Sequence, residues 1–140
     1  MQLNRKILYL EDQEDTRELV TLVLQNQGYI VTSDNTFSGA LALAQTRSFD
    51  LIMLDNCLVD GSGIEFCRRV REFDPVTPIL FYSGAAYESD KLNAVRAGAQ
   101  GYLVKPCSSA ELLQIISNLI ARSSAPALSL PIVAATTLVA

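Results

Sequence analysis

The chain of 140 residues contains no histidine. That absence removes Ser-His-Asp and Cys-His nucleophilic sites and every metal site built on imidazole. Cysteine is sparse. Cys57, Cys67 and Cys107 form no CxxC pair and no metal-ligand spacing, and an odd number of separated thiols fits a reducing compartment. Charge is modest as well, at 19% of residues with a formal net charge of -4. The basic residues are scattered, and the densest groups, Asn4-Arg5-Lys6 and Cys67-Arg68-Arg69, are too small for a nucleic-acid face. No secretory leader is expected, since the polar start Met1 to Lys6 runs directly into a strand. Long apolar runs are missing too. The most apolar stretch, Ala125 to Ala140, is shorter than a bilayer span and is interrupted by Pro126 and Pro131, so no membrane contact is expected.

Hydrophobic residues make up 49% of the chain, a globular composition with enough length for one domain and its core. Short apolar runs alternate with stretches of helical periodicity. Strands are expected at Ile7–Leu10, Tyr29–Thr32, Leu51–Leu54, Ile79–Tyr82 and Gly101–Val104. Helices are expected at about 15–27, 36–47, 64–73, 89–97 and 108–122, with Gly28 and Gly98 as stops and Ser108 or Ser109 as an N-cap. Strand and helix thus alternate five times, and the strands are continuously apolar. This predicts a doubly wound α/β fold, a five-stranded parallel sheet with helices on both faces and strand order 2-1-3-4-5. Residues 1–122 are read as the domain, and 123–140, rich in Ser, Ala, Pro and Thr, as a flexible tail or linker.

"LIMLDNCLVDGSG" drives an apolar strand straight into a carboxylate, Asp55. In an open α/β sheet, ligands bind at the carboxyl ends of the strands. There the first strand delivers Glu11 and Asp12, the third Asp55, the fourth Ser83 and the fifth Lys105. Three neighbouring carboxylates repel unless a cation compensates. Without imidazole or a thiolate cluster, the donors are hard oxygens, which suit Mg²⁺. A hard dication, an ammonium and a hydroxyl around one aspartate would stabilise a phosphoryl group placed on it. Taken singly, these residues have plainer readings: Asp12 or Asp15 as a helix cap, Ser83-Gly84 as a turn, Lys105-Pro106 as a strand exit.

The segments "ILYLEDQEDTRELV", "DLIMLDNCLVDGSGIEFCRRVR", "TPILFYSG" and "AGAQGYLVKPCSSAELL" together resemble the receiver domain of two-component response regulators, of the stand-alone, single-domain type. The resemblance spans about Arg5 to Arg122. It implies the flavodoxin-like receiver fold and a function: Asp55 takes a phosphoryl group from a histidine kinase or histidine phosphotransfer protein. The chain then catalyses only its own phosphorylation and dephosphorylation. Mg²⁺ would be held by Glu11, Asp12 and Asp55 with the backbone carbonyl of Cys57. Lys105 would pair with the phosphoryl oxygens, and Ser83 and Tyr102 would form the switch. On phosphorylation Ser83 would move toward Asp55 and Tyr102 would turn inward; the plainer reading of Tyr102 is a tyrosine packed half-buried on the last strand. A cytoplasmic setting, a downstream protein target, no direct nucleic-acid contact and room for a phosphorylation-dependent dimer follow from the same likeness. Two departures bear on the loops. Val59 stands where the family usually has proline, which predicts a less stiff loop. Gly84 replaces a frequent alanine and adds backbone freedom.

Other classes fit less well. A phosphatase of the haloacid-dehalogenase type wants a second aspartate two residues after the nucleophile, and Cys57 stands there. No G-x-G-x-x-G follows the first strand, against a dinucleotide site. A pseudo-receiver, working as a phosphorylation-independent interaction module, usually lacks one of the acidic pair, the acceptor or the lysine, and all are present. No second globular domain is expected after the last helix.

Overall fold

The computed structural model describes residues 4–123. The expected tail lies outside them, except for Ser123, which closes the last helix.

In chain order the elements are β1 (Lys6–Leu10), α1 (Glu14–Asn26), β2 (Ile30–Asp34), α2 (Phe37–Thr46), β3 (Leu51–Leu54), β4 (Cys57–Leu58), β5 (Gly61–Ser62), α3 (Gly63–Arg71), β6 (Ile79–Ser83), α4 (Glu88–Ala97), β7 (Gly101–Val104) and α5 (Ser109–Ser123). Five strands make one parallel sheet in the order β2-β1-β3-β6-β7. This is the expected 2-1-3-4-5 order, with β4 and β5 set aside as a two-stranded hairpin of their own. The central strands are buried end to end, Ile7 to Leu10, Leu51 to Leu54 and Ile79 to Phe81, because helices cover both faces.

Local chemistry sets the helix ends. The Thr36 hydroxyl accepts from the Gly39 N–H, Ser62 does the same for Glu65, and Ser108 for Glu111. Gly98 ends α4 at φ 114°, a left-handed conformation that favours glycine. The plainer reading of Asp12 or Asp15 as the cap of α1 does not hold, since its N-cap is Gln13.

The strand register assigns side chains to faces, since residues opposite each other in a parallel pair share a face and neighbours along a strand alternate. Tyr9, Met53, Leu80 and Gly101 are in register, and so are Leu10, Leu54, Phe81 and Tyr102. A Cβ added at Gly101 would meet Leu119 and Ile115 of α5, so the first set faces α5. A Cβ at Gly63 would meet Phe81, so the second set faces α3, with α2 and α4 packed beside it.

Candidate functional site

Ladder hydrogen bonds continue one residue beyond three strands. Glu11 N–H donates to Asp34 C=O (3.1 Å), Asp55 N–H to Leu10 C=O (3.3 Å) and Lys105 N–H to Ser83 C=O (2.8 Å). Glu11, Asp55 and Lys105 are therefore fixed by the sheet itself, and the alternation puts all three on the α5 face.

They meet there. The Lys105 Nζ donates to Glu11 Oε1 at 2.6 Å and to Asp55 Oδ2 at 3.0 Å. Its ammonium also lies 5.3 Å from the centre of the Tyr82 ring, a cation–π contact. Burial works against the charge of Lys105, but the hydrogen bonds and attraction of Glu11 and Asp55 outweigh it, and its pKa is raised above the ordinary lysine range. Glu11 is wholly buried. Besides Lys105 it accepts from Tyr9 Oη (3.4 Å) and from the Gln13 N–H (3.3 Å). Burial first, and the charge of Glu11 next, push the Tyr9 phenol well above its usual pKa and keep it a neutral donor. Burial also pushes Tyr82 up to about 12.

The other oxygen of Asp55 looks to the opposite face. Its Oδ1 accepts from Ser83 Oγ at 2.8 Å and from the Cys57 N–H at 3.1 Å. Ser83 Oγ in turn accepts from the Ala85 N–H (3.2 Å), and Ala85 C=O accepts from Tyr102 Oη at 2.6 Å. The Tyr102 ring stacks on Phe81 at 5.6 Å with 2° between planes and is fully buried. Both expected switch residues thus already stand inward: Tyr102 is not half-buried, and Ser83 already touches Asp55. A Cβ at Gly84 would meet nothing within 4 Å, so the loop between β6 and α4 is loosely packed there.

The loop after Asp55 is held more firmly than its missing proline suggested. Val59 projects into solvent at 82% exposure, but the chain around it closes into the β4–β5 hairpin. Asp60 at the turn accepts from the Phe37 N–H with both oxygens, 2.9 and 3.1 Å, tying the hairpin to the start of α2. A Cβ at Gly63 would lie 2.5 Å from the Asp55 carbonyl oxygen, so only glycine lets α3 start this close. Gly63 N–H donates to Asn56 C=O, which makes that facing pair the hydrogen-bonded one. Cys57, opposite Ser62, is then a non-hydrogen-bonded pair, with its N–H and C=O turned away from the hairpin. The N–H reaches Asp55, and the carbonyl is left for another partner.

Glu11, Asp12 and Asp55 do not converge on one point. Among the described residues no three acidic or thiol side chains gather closely enough to hold a metal, and Lys105 stands between Glu11 and Asp55 instead. The chemistry nevertheless suits a hard dication. Two carboxylates, Glu11 and Asp55, share the one Lys105 ammonium, and Asp12 adds a third carboxylate nearby in the chain. Asp12 is half-buried at the rim and makes no hydrogen bond or ion pair to a described residue. With the Cys57 carbonyl it supplies oxygen donors of the kind Mg²⁺ takes alongside water.

The sequence reading singled out Glu11, Asp12, Asp55, Cys57, Ser83, Tyr102 and Lys105. The structure joins all of these except Asp12 in one hydrogen-bonded chain through Asp55, Tyr102 entering by way of Ala85. It missed Tyr9, Tyr82 and Asp60. Tyr9 had a signal, a tyrosine two residues before the buried glutamate on one strand face.

The family model described as the response regulator receiver domain matches residues 7–117. The chain belongs to the response-regulator receiver domain family. As a receiver domain of two-component signalling, it is 38% identical over 127 residues to the KDP operon transcriptional regulatory protein of Escherichia coli K12, covering 91% of this chain and 56% of that protein. It is 34% identical to the alkaline phosphatase synthesis transcriptional regulatory protein of Bacillus subtilis, over 86% of this chain and 50% of that one. The receiver spans about half the length of the curated relatives it matches. A solved receiver domain of a Pseudomonas aeruginosa sensor histidine kinase superposes with a TM-score of 0.78 at 28% identity, covering 84% of this chain and 98% of that one. That structure holds a magnesium ion in its active-site cleft. Among the described residues no helix is long and apolar enough to cross a membrane.

Proposed function

We propose that Asp55 is the phosphoacceptor of this receiver domain. The observation that carries the reading is the division of its carboxylate, Oδ2 on Lys105 and Oδ1 on Ser83 and the Cys57 amide. An Asp55 oxygen attacks the phosphorus of a phosphohistidine supplied by a histidine kinase or phosphotransfer protein. The P–N bond breaks, the imidazole leaves with its electron pair and takes up a proton, and an acyl phosphate forms on Asp55. Lys105 is already beside the carboxylate and shifts to the new phosphoryl oxygens. Ser83 offers its hydroxyl from the other side. Asp12, Asp55, Glu11 and the Cys57 carbonyl would hold Mg²⁺, which supplies positive charge for the phosphoryl oxygens. Hydrolysis returns the free carboxylate, so the chain acts as a catalyst only on itself.

The receiver unit is taken as residues 1–122, with 123–140 as a tail or linker. The output is a surface offered to a downstream protein or to a second copy, with no direct nucleic-acid contact. Three unpaired thiols support a cytoplasmic setting. The test is incubation with Mg²⁺ and a small-molecule phosphodonor, followed by intact mass. One phosphoryl group on the unmodified chain and none on Asp55→Asn is expected. Equal labelling of the two would overturn the assignment.

A further inference from the structure

Strand β1 lies inside the sheet, paired with β2 on one side and β3 on the other, and Ile7, Leu8 and Leu10 line it with hydrocarbon. Tyr9 breaks that run. It is fully buried, and a buried hydroxyl needs a partner. Among the described residues its hydroxyl makes one hydrogen bond, to Glu11 Oε1 at 3.4 Å. The two residues are two apart on the strand and so share a face.

Glu11 is in the same position from the other side. It is a carboxylate with no solvent contact, and its donors are the Tyr9 phenol, the Lys105 ammonium at 2.6 Å and the Gln13 amide at 3.3 Å. Tyr9 and Lys105 share Oε1, and Gln13 takes Oε2. Three donors from three directions leave the carboxylate one orientation. With the phenol gone, only Lys105 would hold Oε1. Removing a group that fixes a ligand's orientation typically lowers metal affinity about 10- to 100-fold.

We propose that Tyr9 is a positioning residue. Its phenol fixes the Glu11 carboxylate, and through it the Lys105 ammonium, at the mouth of the phosphoacceptor site. The functional consequence rests on the reading of that site given above. The placement of Glu11 and Lys105 does not.

Tyr9→Phe tests this, because phenylalanine keeps the ring and removes only the oxygen. Tyr29→Phe is the control, a buried tyrosine elsewhere, at the turn between α1 and β2. Both full-length variants are first compared by thermal unfolding and by amide spectra without metal. Tyr9→Phe is expected to move the Gln13 and Lys105 signals while Tyr29→Phe leaves them in place. Mg²⁺ alone is then titrated, and Tyr9→Phe is expected to weaken its binding about tenfold. Unmoved Gln13 and Lys105 signals in a folded Tyr9→Phe protein overturn the proposal whatever the metal does. Moved signals with unchanged Mg²⁺ binding overturn it also, since Glu11 would then be displaced without consequence for the site. Absence of Mg²⁺ binding to the unmodified chain would sink the reading of the site instead. The metal-free spectra would still decide the role of Tyr9.

Discussion

The two faces of the sheet treat Asp55 differently. On the α5 face it meets a charged, tightly tied group: Lys105 between two carboxylates, Tyr9 behind Glu11 and the Tyr82 ring against the ammonium. On the α3 face it meets neutral donors, linked from Ser83 through Ala85 to the buried Tyr102, beside a loop with open space at Gly84. The first arrangement resists movement, because shifting any member uncovers a buried charge. The second moves at the expense of one or two ordinary hydrogen bonds. Phosphorylation of Asp55, as proposed, would add charge and acceptors where the faces meet, so the chemistry would be anchored on one side and the response would leave by the other.

Substitutions that act on one face should not mimic those on the other. The largest effect is expected from Lys105→Met. It leaves Glu11 buried without its cation, and the loss should be about 3 kcal/mol in denaturant unfolding, together with loss of phosphoryl uptake. The pH dependence follows from the raised pKa of Lys105. The stabilisation is fully present below the unfolded-state lysine pKa and fades as pH rises through the higher folded-state value. Lys105→Met should lack this alkaline loss, which urea unfolding at a series of alkaline pH values would show.

Ser83→Ala comes next. Asp55 Oδ1 keeps the Cys57 amide but loses the hydroxyl, about 1 kcal/mol, and phosphoryl uptake should slow about fivefold in a timed mass assay. Tyr102→Phe removes the hydrogen bond to Ala85. Amide exchange around Ala85 to Tyr87 should rise about fivefold with the rate of phosphoryl uptake unchanged. A slowed rate there would break the division between faces. The smallest effect is expected from Asp60→Ala, which removes the acceptor of the Phe37 N–H at the start of α2 but leaves the Thr36 cap, at about 0.5 kcal/mol, read from the shift in the urea midpoint.

Most of the fold was legible because parallel strands buried on both faces are continuous apolar runs, and "ILYL", "LIML" and "ILFY" are such runs. The candidate site residues were legible for a related reason. Glu11, Asp55 and Ser83 each follow directly after one of those runs, and Lys105 follows the strand Gly101–Val104, so chain order sends all four to one rim. Other features depend on contacts between distant segments and were not legible. Asp60 grips α2 across 23 residues, and nothing in "VDGSG" says so. The hairpin replaces the stiffness that Val59 was expected to remove, through two short strands with no apolar pattern. The plainer reading of Tyr102 had it half-buried. It is fully inside because Phe81 offers a parallel ring and Ala85 a carbonyl, both from segments remote in sequence.

The division of Asp55 between two faces is tested most directly by amide spectra in two additions, Mg²⁺ first and beryllofluoride second. Mg²⁺ alone should move the signals of Asp12, Cys57 and Lys105 and leave Ala85, Tyr87 and Tyr102 where they are. Beryllofluoride, standing for the phosphoryl group, should then move both sets. If Mg²⁺ alone shifted Ala85 and Tyr102 as strongly, or if beryllofluoride left them unmoved, the two faces would not be joined through the carboxylate of Asp55.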